Sequence, residues 1–159
     1  MRILGKMTVP LVLVGLFGPG LAYAQSTSRL CNDRLIAGVY GFTIEGTKLA
    51  GPGPTGAQVG VALTEFDGRG SLSQIDAVTI GGVEVSDFTH PVATGTYTVN
   101  ANCTGTFTID FTDGRPAVSA YFVVVDNGSE IDSVVEGVPP GSSGVIATRS
   151  IGRRRFSVF

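Results

Sequence analysis

The chain has 159 residues, of which 43% are hydrophobic and only 15% charged, with 23 Gly, 8 Pro, a single His and no Trp. Its formal net charge is −2 and its mean hydropathy +0.31, so it is neither a disordered charged tail nor a nucleic-acid binder, and its length suits one small domain. No cofactor or metal is expected, because no phosphate-cradling loop, Cys-x-x-Cys or His-rich cluster occurs.

Residues 1–24 read as a signal peptide. Arg2 and Lys6 supply a positive start, Thr8 to Leu16 an apolar run, and Ala22-Tyr23-Ala24 a small-x-small cleavage site before Gln25. Gly18-Pro19-Gly20 interrupts the run well short of the ~20 apolar residues that a membrane-spanning helix needs. Removal leaves 135 residues with nine basic and thirteen acidic side chains, a net of −4. The expected location is secreted or periplasmic. In that oxidising setting Cys31 and Cys103 read as one disulfide.

Residues 25–36 form a lead-in carrying Cys31, and 37–152 a domain whose dominant signal is period two. Ala37 to Glu45 alternates, with Tyr40, Phe42 and Ile44 on one face. A Gly-Pro-Gly-Pro loop at 51–54 precedes Ala57 to Phe66, in which Val59, Val61, Leu63 and Glu65 share a face. Asp67-Gly68-Arg69-Gly70 is a hairpin signal leading to Ser71–Ile80. A longer connection runs from Gly81-Gly82 to Pro91. Thr94 to Asn102 and Thr104 to Phe111 alternate cleanly, with Tyr97, Val99, Phe107, Ile109 and Phe111 opposite rows of Thr. Turns at Asp113-Gly114-Arg115-Pro116 and Asp126-Asn127-Gly128-Ser129 bound an apolar strand, Ala117–Val125; Ile131–Glu136 and Gly144–Ile151 complete the series. Residues 153–159 read as a basic tail.

About eight strands with short connections predict an all-β, antiparallel, up-and-down barrel; a β-sandwich is the alternative. Closure removes exposed edges, and abundant Gly suits the bends of a small barrel.

Two stretches carry a resemblance. Leu35-Ile36-Ala37-Gly38-Val39-Tyr40-Gly41-Phe42 after Cys31, and Gly95 to Thr106 around Cys103, resemble signatures of a group of exported bacterial β-barrel proteins without an established activity. The strand count and turn spacing are also similar to calycin-type barrels: lipocalins, avidins and allene oxide cyclase-like barrels. With no Trp, the G-x-W opening of lipocalins and the Trp-rich biotin site of avidins are both missing.

The expected function is therefore an exported, soluble barrel acting as a binding or structural module, holding a small apolar molecule. Tyr40, Phe42, Glu65, Tyr97, Phe107 and Tyr121 are the candidate cavity lining. Glu65, one of five acids in or beside strands with Glu45, Asp76, Asp110 and Glu136, is the candidate inward carboxyl. No catalytic constellation is present, and His90 has only Asp87 close by in sequence. A cyclase or isomerase that confines its substrate is one alternative, and an outer-membrane barrel ending at Phe159 another. The latter would turn Arg153 and Arg155 to lipid, so no stable membrane insertion is expected.

Overall fold

The computed structural model describes residues 30–136 and 145–155. Within them the chain is all β apart from two short 3₁₀ turns, Asp33–Ile36 and Asp126–Gly128. The strands are β1 (Gly38–Ala50), β2 (Gly56–Phe66), β3 (Ser71–Ile80), β4 (Val83–Ser86), β5 (Ala93–Val99), β6 (Thr104–Asp110), β7 (Val118–Val125), β8 (Glu130–Val135) and β9 (Val145–Arg154).

Every pairing is antiparallel. Consecutive strands are neighbours except around β4, and β1 pairs with both β2 and β9. Eight strands thus close on themselves, and the sandwich alternative falls away. The ninth, β4, was read from sequence as part of a connection. It folds back on the last residues of β3 through Gly81 and Gly82, both at positive φ, and β5 then takes over the same edge of β3 at Ser71–Gln74.

Alternation decides what faces inward. On β1 the even positions Tyr40 and Phe42 are buried, as the sequence predicts. On β2 the prediction is reversed: Val59 and Val61 are exposed, at 54% and 46%, while Ala62, Thr64 and Phe66 are buried. Register with β1 dictates this, since Ala62 lies opposite Phe42 and Thr64 opposite Tyr40. A one-residue shift would expose both aromatics.

One end of the barrel is plugged. The Asp33–Ile36 turn, part of the predicted lead-in, lies across it with Ile36 wholly buried. The Asp33 carboxylate accepts from the Val99 N–H at 2.7 Å, and Tyr97 donates to the Asp33 carbonyl at 3.3 Å. Below the plug, Phe66 packs edge-on to both Tyr40 and Tyr97, with ring centres 5.5 and 5.0 Å apart. The Cys31–Cys103 disulfide ties the plug to the β5–β6 turn, its Cα atoms 5.0 Å apart.

Arg154 closes the same end from the opposite wall. β9 runs two residues into the stretch read as tail, and its last residue points inward. The guanidinium donates to the Tyr40 hydroxyl at 2.7 and 3.0 Å and to the carbonyls of Gly128 and Leu35. Tyr40 in turn donates to Gly128 O. Burial pushes the Tyr40 phenol above its usual value, only partly offset by the cation.

Two glycines let the wall approach this filling. A Cβ on Gly152 would meet the Phe42 ring at 2.3 Å, and one on Gly105 the Phe122 ring at 2.2 Å.

Two outcomes test this packing. Reduction, or replacement of Cys31 and Cys103 together by Ser, should lower unfolding free energy in urea by up to roughly 4 kcal/mol, because the bridge spans 72 positions. Gly152→Ala should lower the thermal midpoint while an exposed control, Gly82→Ala, which meets no neighbour but sits at positive φ, costs only about 1 kcal/mol.

Candidate functional site

The plugged half of the barrel is filled; among the described residues the other half is hollow. Among the described residues a cavity of about 840 Å³ opens at the end where β1 runs into the 51–54 loop and β6 turns into β7. That is the size of a small-molecule site. Short inward residues leave part of its space: Ala62 and Ala120 are buried in its walls, and Thr64, Ser133, Thr148 and Ser150 line it between larger apolar side chains.

Of the sequence-predicted lining, Phe42 and Phe107 do border the cavity. Tyr40 and Tyr97 face inward too but belong to the packed end, engaged with Arg154 and the plug. Glu65 and Tyr121 stand on the outside wall. Glu65 follows β2's reversed alternation. Tyr121 is 50% exposed because β7 turns its even residues, Ala120 and Phe122, inward. The Tyr121 hydroxyl donates to Glu136 at 2.6 Å, and that carboxylate raises its pKa.

The inward carboxyl is Asp76, on β3, 5% exposed. Arg115, in the β6–β7 turn, reaches into the mouth and donates Nη1 to both Asp76 oxygens at 3.1 and 3.2 Å. Its Nε holds Asp113 at 2.8 Å, and its guanidinium lies 3.9 Å from the centre of the Phe111 ring. Burial pushes the Asp113 carboxyl up, but the Arg115 backbone N–H and side chain outweigh it and hold it below the ordinary range.

A polar strip continues inward from this pair. Gln74 donates to Asp76 at 3.4 Å and accepts the Thr64 hydroxyl at 2.8 Å. Further round the wall, Thr148 donates to Gln58 at 3.2 Å, and the Ser133 and Ser150 hydroxyls lie 2.5 Å apart. The remaining lining is mainly aliphatic and aromatic.

Sequence reasoning placed Asp76 in a strand and Arg115 in a turn without joining them. The signal was there. Asp76 shares parity with Leu72, Val78 and Ile80, and an acid on an apolar face implies a buried partner.

His90 and Asp87 do meet, in the β4–β5 connection. Imidazole Nδ1 lies 3.1 Å from the Asp87 carboxylate and 3.2 Å from its backbone N. Among the described residues no group of three or more His, Cys, Asp or Glu is placed to hold a metal.

Comparison of the chain with protein-family models, curated proteins and solved structures finds no match.

Two predictions follow from the ionic contacts. Arg115→Met strands Asp76 as a buried, unpaired carboxylate and should destabilise on the order of 3 kcal/mol, most of it restored in the Asp76→Asn/Arg115→Met double variant. Urea denaturation of the four-member cycle measures both. Separately, the Thr89 hydroxyl and backbone N–H, with His90, hold the Asp87 carboxyl down to about 2. Its folded pKa lies below its unfolded one, so its contribution is complete above about pH 4 and disappears as pH falls through about 2. An NMR titration of this carboxyl should show the depressed midpoint; an ordinary one near 4 would mean that the loop contacts are absent.

Proposed function

We propose that this protein is an exported carrier or binding module that holds one small, largely apolar molecule in the open half of its barrel. The observation that carries the reading is the hollow itself. Its aliphatic and aromatic lining is interspersed with Ala, Ser and Thr and leaves about 840 Å³ among the described residues.

Export is supported by the signal-like segment 1–24, which lies outside the described residues, and by the disulfide, a bond that persists in oxidising compartments. No helix among the described residues is long and apolar enough to cross a membrane. The outer wall argues for water rather than lipid. It carries the ion pairs Glu45–Arg149 and Glu130–Arg153 and the Thr rows of β5 and β6. In a bilayer an outward Arg costs up to roughly 2–4 kcal/mol.

Holding fits the geometry better than turnover. A confining cyclase or isomerase needs an inward acid or base free to act. Glu65 is on the outside, and both oxygens of Asp76 are engaged by Arg115.

Filling the hollow is the direct test. The native protein should take up the neutral fluorescent probe N-phenyl-1-naphthylamine, and Ala120→Trp should keep the far-ultraviolet circular dichroism spectrum and abolish that binding. Native mass spectrometry of protein purified from its host should show a small-molecule adduct absent from the Trp variant. Unchanged probe binding in that variant, or no uptake by the native protein, overturns the reading.

A further inference from the structure

We infer that the occupant is an uncharged molecule whose apolar body carries an oxygen acceptor of the ketone or ester kind, bound by Arg115 at the cavity mouth. This deepens the carrier reading and rests on it. The charged residues lining the cavity are Lys48, Asp76, Arg115 and Glu136, two of each sign. Asp113, behind Arg115, adds a further negative charge next to the guanidinium. A carboxylate reaching Arg115 would meet a cation already flanked by two anions, and Lys48 already donates to the Pro52 carbonyl. An ammonium group would meet Asp76 with both oxygens already bonded and Glu136 already accepting from Tyr121.

The hydrogen-bond directions sharpen the choice. Asp76 as a carboxylate can only accept, so Gln74 must turn its amide nitrogen toward it, leaving Oε1 for the Thr64 hydroxyl. The acceptors of this strip are therefore supplied from within the wall. Arg115 uses Nη1 on Asp76 and Nε on Asp113, while Nη2 has no partner among the described residues. A neutral carbonyl satisfies that N–H without bringing a second charge into an apolar hollow. Phe111, stacked beneath the guanidinium, keeps the donor fixed in place.

The test is a displacement series with bound N-phenyl-1-naphthylamine at pH 7.4 and four competitors of equal carbon number: dodecan-2-one, dodecane, dodecanoic acid and dodecylamine. The ketone should displace the probe at a concentration at least about tenfold lower than the acid or the amine, because an uncompensated charge is costly to bury. It should also outcompete dodecane, although simple partitioning favours the alkane. In Asp76→Asn/Arg115→Met the ketone's advantage over dodecane should vanish. Should that variant fail to fold, the native series decides alone. Dodecane matching the ketone, or the acid or amine surpassing it, overturns the inference. The Ala120→Trp protein separates the two failures. If it still binds the probe, the carrier reading itself is wrong; if it does not and the native series is flat, only the ligand chemistry is.

Discussion

Closure of the wall through β1 is the constraint on which the rest depends. This 13-residue strand pairs along nearly its whole length with β2 on one side and β9 on the other, joining the start of the barrel to its end. The register it imposes has no slack. Phe42 faces Ala62 across one seam and Gly152 across the other, so its ring sits between two of the smallest residues. Tyr40 likewise stands between Thr64 and Arg154, which is how a residue near the chain's end comes to bond a hydroxyl near its beginning. Slipping either seam by one residue would turn both aromatics to solvent and free Arg154 from its acceptors.

From that closure follows an asymmetry between the two ends. The plugged end holds the bulk: Ile36, Tyr40, Phe66, Tyr97, Phe122 and Ile131, all nearly free of solvent, with the disulfide and Arg154 locking the plug from opposite sides. Such an end resists local opening because its hydrogen bonds join segments distant in sequence. The rigidity allows the other end to remain underfilled. A hollow forfeits dispersion contacts and the burial of apolar surface, a deficit that a fully closed hydrogen-bonded wall can carry and an open sheet could not.

The same asymmetry explains what was legible in the sequence. Period two, turn chemistry and cysteine count sufficed for the antiparallel barrel and the Cys31–Cys103 bridge, because these depend on local pattern and composition. Orientation failed on β2. The rule that the apolar face points inward assumes a filled interior, and here the inward face borders a cavity, where Ala62 and Thr64 leave room. Val59 and Val61 face outward, as β-branched residues suit either face of a pleated strand. Glu65 was assigned inward through the same assumption. The plug escaped notice because four residues of 3₁₀ turn have no periodic signature. β4 escaped because four residues between two turns resemble a loop.

The residues that define the mouth were hidden for a different reason. Asp76 and Arg115 are 39 positions apart, and only the closed wall brings the β6–β7 turn over the inner face of β3. An arginine in an Asp-Gly-Arg-Pro turn looks solvated when read locally, as does a basic run near the chain end. Yet Arg115 and Arg154 enter the barrel from its opposite ends, and their partners differ in kind. Arg154 bonds carbonyls and a phenol, all its described partners being neutral oxygens, and serves to hold backbone together. Arg115 is held between carboxylates and keeps a donor to spare. A cation committed to neutral acceptors on every side is a structural clamp. One whose charge is already balanced, with a nitrogen still unbonded beside a hollow, is what the proposed recognition of a molecule by its dipole rather than its charge requires.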